Sequence, residues 1–345
     1  MRGKNTNNKV KLLNQSETGF TLLELMITLS IGLVLFAGVL SVFVGMRTTT
    51  AETSTFGELQ ENGRFAISVL TDDLLKQDFW GDYSGRLNRS NLTMVANPPA
   101  LNDCNGGGVN NATFPTATGN FRTLWGQTLT EASPNPLNCF STPTGTRTKD
   151  GSDVIQLKRV IGNPVPTISL LNPLPVVTND NYYFMANTDK GGIYAGGNAW
   201  PILDDFRTWI YQHHVYYVRE EKIGSEYVPV LMQGRLANLN MNFTPVVDGI
   251  EMIRFMYGVD TNADGVINVY ISANGMSNAL WDNAGGARVL AVKVYVLARS
   301  ILPDRKYNNT KTYQLGDLVF TPPANDNYRR LLFSSTITLY NARVN

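Results

Sequence analysis

Gly19-Phe20-Thr21-Leu22-Leu23-Glu24-Leu25-Met26 opens the stretch on which the reading of this chain turns. From Phe20 to Met46 there is one ionisable side chain, Glu24. As a helix these 27 residues would reach roughly 40 Å, against ~30 Å of bilayer hydrocarbon. Arg2, Lys4, Lys9 and Lys11 precede the run with Glu17 as the sole acid, and Arg47, Glu52 and Glu58 follow it with mixed signs. That asymmetry orients the start of the chain toward the cytoplasm. A plain signal anchor would have the same outline. A secretory signal peptide fits less well, since its apolar region is shorter and ends at a small-residue cleavage site.

Glu24 is the feature a plain anchor leaves unexplained. A carboxylate near the start of a membrane span is costly, and such residues are usually paired or functional. Glu24 stands one helical turn beyond Phe20, so a cut after Gly19 would create an ammonium at Phe20 close to it. No other charge exists in the run, so the partner of Glu24 is intermolecular or very local.

The whole 345-residue chain is 17% charged and 43% hydrophobic, long enough for a sizeable core and too apolar for disorder or a solvated coiled coil. Lys+Arg 29 against Asp+Glu 28 leaves +1, which argues against a protein built to grip nucleic acid. Two histidines, His213 and His214, are adjacent; on a strand they point to opposite faces and form no common metal site. No Gly-x-Ser-x-Gly, CxxC or His-Glu-x-x-His motif occurs, so the sequence does not read as an enzyme.

No proline occurs between residues 20 and 97. Leu59, Phe65/Ala66, Val69/Leu70 and Leu74 recur at helical spacing with Arg64, Asp72, Asp73 and Lys76 between them, predicting one helix from about Thr21 to Asp78. Its half from 47 to 80 is amphipathic. Gly32, Gly38, Gly45, Gly57 and Gly63 weaken it, or let neighbours approach closely, and Gly45 with Thr48–Thr50 marks its softest point. Residues 81–150 read as a loop-rich region containing Cys104 and Cys139. In an oxidising compartment these two are expected to form a disulfide; two buried free thiols are the alternative. From 151 to 345 turn signals separate β runs: 153–160, 209–220, 227–236, 250–259, 266–272, 290–299 and 330–342, predicting an antiparallel sheet.

GFTLLELM with the long apolar run resembles the class III signal of type IV prepilins and pseudopilins. Leu59-Gln-Glu-Asn-Gly-Arg-Phe-Ala66, Asp73-Leu74, Phe79-Trp80-Gly81, Gly151-Ser-Asp-Val-Ile155, Val215-Tyr-Tyr-Val218, Gly249-Ile-Glu through Tyr257-Gly-Val-Asp260, Val292–Ser300 and Phe333–Asn341 resemble the PilW family of minor pilins. Tyr340 stands where that family would carry a basic residue, and 81–150 and 161–205 have no counterpart. The resemblance implies an α+β, type IV pilin-like fold: a long N-terminal helix packed on an antiparallel β head with long loops. It implies a leader of residues 1–19 removed between Gly19 and Phe20 by prepilin peptidase, and N-methylation of Phe20 by the same enzyme. Residues 20–46 then form the membrane and filament-core helix, with Glu24 in the assembly position. The implied function is a minor pilin in the initiation and tip complex of a type IV pilus. Its partners would be other minor pilins, the major pilin, the inner-membrane assembly platform and, before assembly, membrane lipid. Its place would be the inner membrane, with a periplasmic head, and then the pilus. A pseudopilin of a type II secretion system, or a membrane-anchored adhesin or DNA-contacting pilin, are the rivals.

One loop suggests an ion. Asp260, Asn262, Asp264 and Gly265 match the start of a calcium loop and Asn268 lies close behind, but position 12 is Ile271 in place of the bidentate glutamate. The plain reading is a tight turn. No cofactor is required, with calcium the one ion the sequence suggests. Gly106–Gly108, and Gly191-Gly192 with Gly196-Gly197, lack the Lys-Ser/Thr of a phosphate loop and read as surface turns.

Overall fold

The computed structural model describes residues 19–85, 87–94, 100–169, 172–198 and 205–344. The chain divides into two compact units, one ending at Thr55 and the other beginning at Phe56. One helix, α1 (Leu22–Leu75), contributes to both. Sixteen strands are described: β1 (Leu124–Thr128), β2 (Thr146–Thr148), β3 (Asp153–Val160), β4 (Thr167–Ser169), β5 (Asn172–Pro175), β6 (Tyr182–Ala186), β7 (Gly191–Ala195), β8 (Arg207–Ile223), β9 (Glu226–Ala237), β10 (Asn240–Asp248), β11 (Ile250–Asp260), β12 (Val269–Ser272), β13 (Arg288–Arg299), β14 (Tyr313–Leu315), β15 (Leu318–Phe320) and β16 (Arg330–Thr338). Two further helices are one turn long, α2 (Asn278–Trp281) and α3 (Asn341–Val344).

The α+β layout is the one expected, a long apolar N-terminal helix ahead of an antiparallel β domain. The single expected sheet is in fact two large ones, with two further two-stranded ladders, β4–β5 and β14–β15. The larger is organised around the 17-residue β8, which pairs with β2, β3, β6 and β9; β1, β7 and β10 extend it. The smaller runs β12-β11-β13-β16. Every strand pairing is antiparallel.

Both faces of β8 are buried, so its hydrophobic alternation does not separate core from solvent. His214 and Tyr216 face α1 through Asp73. Tyr211 and His213 face Thr113 of the loop region, and Tyr217 stacks on Phe140 at 4.0 Å. The loop region 81–150 is therefore a packed cover over the sheet, contributing β1 and β2 to it. Phe114, Phe121, Leu129, Leu137 and the half-cystines Cys104 and Cys139 all lie in the core. Three of the glycines read as surface turns are something else. Gly106 is buried against Asn111 and Leu137, and Gly191 and Gly192 are buried residues of β7.

The helix end shows the stripe the spacing implied. Leu59, Ala66, Leu70 and Leu74 are buried, while Phe65 is half-exposed. Gly63 continues the stripe because the Phe333 ring occupies the space a Cβ would need. At Gly32, Gly38, Gly45 and Gly57 an added Cβ would meet nothing. The expected soft point is a continuous helix. Thr49, Thr50 and Thr53 donate their hydroxyls to the carbonyls of Gly45, Met46 and Thr49, one turn back, at 2.9–3.1 Å.

Candidate assembly site

The described part of the N-terminal unit is helix from Leu22 onward, and from Phe20 to Met46 every residue is exposed: Phe20 is 84% exposed and Val34 73%. A helix apolar all round has no stripe to bury and is suited to lipid or to a bundle of like helices. Its first turn is built by one motif. Thr21 precedes the helix, and its N–H and hydroxyl both donate to Glu24 Oε2, at 3.0 and 2.9 Å. The Glu24 N–H reaches back to Thr21 Oγ1 at 3.3 Å. This is a reciprocal capping box, Thr at the N-cap and Glu three residues on. The carboxylate also sits where the helix dipole favours negative charge. The Thr-x-x-Glu spacing is visible in the sequence, and it supplies the very local partner that Glu24 needed. Of the expected leader, residues 1–18 lie outside the described residues; Gly19 and Phe20 precede the helix and both are exposed.

The head holds its own helix segment, 56–75, through one buried carboxylate. Asp73, read from the sequence as a polar residue between stripe positions, is 3% exposed. Its Oδ1 accepts from Arg159 at 2.8 Å, and its Oδ2 from His214 Nδ1 at 2.5 Å and Tyr216 Oη at 2.9 Å. Burial alone would raise the Asp73 carboxyl; His214 and Arg159 outweigh it and hold it well below the usual carboxylate range. Burial, with Asp73 alongside, pushes the Tyr216 hydroxyl well up. Holding partners on β3 and β8 at once, this carboxylate fixes the helix on both strands.

A second buried set lies on the opposite face of β8. Thr113 Oγ1 donates to Asp103 Oδ1 at 2.6 Å, so His213 Nδ1, 2.7 Å away, is left as the donor to Thr113. His213 Nε2 then accepts from Gln156 at 2.9 Å. Burial pushes this imidazole well down. Lys158, fully buried, donates to Asn111 Oδ1 and the Arg122 carbonyl, and burial lowers its ammonium well below the ordinary value. The two histidines thus serve opposite faces, as their adjacency required. The two sheets are joined by a third set. Asp153 of β3 accepts from Thr128, from Arg254 at 2.8 Å and from the Phe255 N–H at 2.9 Å. Ser152 Oγ accepts the Ile253 N–H.

The suspected calcium loop brings Asp260, Asn262, Asp264 and Asn268 together but turns their oxygens inward. Asp260 accepts from the N–H groups of Asn262, Ala263 and Gly265 at 2.7–3.1 Å. Asp264 accepts from Val266 and from the Asn262 amide, and Asn268 Oδ1 from Thr261. Against the desolvation that would raise it, those donors hold the Asp260 carboxyl below its ordinary value. Among the described residues no group of three His, Cys, Asp or Glu side chains could hold a metal ion. Cys104 and Cys139 are joined in a disulfide, both buried.

Residues 14–40 match the prokaryotic N-terminal methylation motif, and residues 215–341, from the second half of β8 through β16, match Type IV Pilus-assembly protein W. No curated protein and no solved structure matches the chain. A prepilin signal and a PilW-type segment therefore occur on one polypeptide, which is the composition of a type IV pilus-related minor pilin.

Proposed function

We propose that this protein is a minor pilin that helps to start assembly of a type IV pilus and remains in the complex at its tip. The observation that carries this reading is the combination, on one chain, of an uncovered apolar helix behind a methylation motif and a head of the PilW type. The work is assembly, with no turnover. Prepilin peptidase removes the leader between Gly19 and Phe20 and methylates the new Phe20 amine. The helix from Phe20 holds the subunit in the inner membrane as a single pass with the head in the periplasm, then moves from lipid into the filament core through the assembly platform.

Glu24 acts twice in this scheme. Within its own chain it closes the first turn with Thr21. In the filament it offers a carboxylate to the Phe20 ammonium of a neighbouring subunit. That pair adds little net stability, because both charges lose water. It sets registry: a misplaced helix leaves one charge unpaired among apolar side chains, at a cost of several kcal/mol. The 260–268 loop we take as a structural turn. Intact-mass measurement on protein from peptidase-positive and peptidase-negative cells tests the scheme. The two forms should differ by residues 1–19 and one methyl group; an unprocessed chain in both strains would overturn it.

A further inference from the structure

Among the described residues, most sheet edges of this head are short, interrupted or covered, and one is not. Unpaired edges recruit foreign strands, so folded proteins shorten, bend or cover them. At β10 Pro245 and a register shift break the ladder. At β7 the free side is occupied by residues 93 and 94, through Thr93 N–H to the Gly191 carbonyl and Ile193 N–H to the Met94 carbonyl. The edges at β2 and β12 are three and four residues long. On β1, five residues long, the Thr128 N–H is taken by Asn274. By contrast β16 is nine residues long, pairs with β13 without any register shift, and contains no proline or lysine.

The ladder identifies which groups are left over. The Leu339 N–H donates to the Leu290 carbonyl at 2.9 Å, in register with the β13–β16 pairs. Antiparallel bonding alternates, so residues 331, 333, 335 and 337 direct their N–H and C=O groups to β13. Leu332, Ser334 and Thr336 direct theirs to the open side, and all three side chains are exposed. Beside that edge runs a groove of about 550 Å³ between Arg64, Ser68, Asp72 and Leu75 of α1 and Phe333 and Ser335 of β16. The helix flank thus extends past the last strand, and Thr71 Oγ1 in that flank is buried with no hydrogen-bond partner. A further strand hydrogen-bonded to β16 would lie ~4.8 Å beyond it, along the groove.

We infer that the free edge of β16 receives an extended strand from a different minor pilin of the same pilus, which extends the four-stranded sheet by one and fills the groove against α1. An alternating row of N–H donors and C=O acceptors is complementary to another extended backbone, and main-chain bonding is how exposed edges take up such segments. This rests on the pilus-assembly reading and adds to it the surface used.

Hydrogen exchange on the full chain in detergent, alone and co-purified with the minor pilins of its own pilus system, tests the inference. The amides of Leu332, Ser334 and Thr336 should slow by roughly tenfold or more in the complex. Thr336→Pro removes one outward N–H and no bond to β13. It should weaken co-purification at least roughly fivefold, the worth of one net backbone hydrogen bond, whereas Thr336→Ala should bind as wild type. A complex that forms with the three amides unprotected overturns the inference and leaves the pilus reading intact. Protection of the same amides in a self-dimer, seen by sedimentation of the chain alone, overturns the choice of occupant. No complex, together with normal piliation in cells lacking this protein, overturns both readings.

Discussion

Leu33, Val34 and Phe36 of α1 are at least 60% exposed, whereas Leu59, Ala66, Leu70 and Leu74 of the same helix are 2% exposed or less. The backbone is identical in the two stretches; the side-chain pattern differs. From 20 to 46 apolar residues surround the helix, so no single packed face would satisfy it. From 59 to 74 they form a stripe, and a β head covers that stripe. The first stretch is exposed along its length, as suits a helix made for lipid or for a bundle of like helices, while the second is closed by its own chain. Polar groups follow the same division. Glu24 is bonded within one helical turn, but Asp73 draws on partners from β3 and β8, far away in sequence.

This contrast is broken most directly at Glu24. Glu24→Ala should be processed at Gly19–Phe20 like the wild type, while incorporation and surface piliation fall to near background. Glu24→Gln separates its two roles. It retains an acceptor for the Thr21 cap and loses the charge, so it should fail like Glu24→Ala if registry depends on the Phe20 ammonium. Immunoblotting for leader removal beside counting of surface pili measures both. Normal piliation in the Gln variant would reduce Glu24 to a helix cap.

The head is expected to fail differently. Asp73→Ala leaves Arg159, His214 and Tyr216 facing a buried void, and loss of one partner from such a network costs about 3–5 kcal/mol. Thermal or denaturant unfolding of the full chain in detergent should show that loss in the head transition, with leader removal unchanged. Acid provides a second reading of the same group. The Asp73 carboxyl is depressed in the folded state, so its contribution is complete above the unfolded value near ~4 and is lost as pH falls below it. Asp73→Ala should therefore flatten the fall in head stability below about pH 4. An unchanged acid limb would place the acid sensitivity in another carboxylate.

What the sequence disclosed follows from how local each cause is. The apolar run and the stripe of α1 are periodic within one element, and both were legible. So were β3, β8, β9, β11 and β13, whose β-branched and aromatic runs are long. The chain at β6 and β7 was not, because Gly191-Gly192 suggests a turn until Phe184 is seen to occupy the space above Gly191. Two sheets were read as one because the division depends on Asp153 and Arg254 meeting across the core, a contact between residues far apart in sequence. The burial of Asp73 is not legible for the same reason: its partners lie on strands that no local pattern connects to the helix. The Thr21–Glu24 cap is legible in the Thr-x-x-Glu spacing, beside the intermolecular role that the same glutamate suggests.

The covalent tie ranks next in size. Cys104 and Cys139 hold the cover of the sheet, and the Cys104 carbonyl receives the Gln156 side chain. Replacing both with serine should cost the head about 3 kcal/mol in the chain-entropy account. The loss should appear as faster proteolysis within 100–140 and earlier melting, with the Asp73 cluster and the stripe still formed. A double variant that melts with the wild type would show that packing of Phe114, Phe121 and Phe140 alone holds the cover.

The smallest effect is expected at the 260–268 loop, where a turn and an ion site make opposite demands on the same oxygens. Asp260 spends its carboxylate on three backbone donors, and Asn268 spends its amide oxygen on Thr261. A calcium ion would have to recover those oxygens from N–H groups that would then need water, and Ile271 brings no carboxylate to compensate. The loop joins β11 to β12, so its closure also sets the register between them. Asp260→Ala should therefore lower the melting temperature of the head by a few degrees, equally with calcium and with chelator present. Asp264→Ala, which removes two acceptor contacts at the exposed tip, should do less. If millimolar calcium raised the wild-type melting temperature and Asp264→Ala abolished that rise, the oxygens would have been shown to turn outward to a cation, and the loop would have to be reassigned from a turn to a binding site.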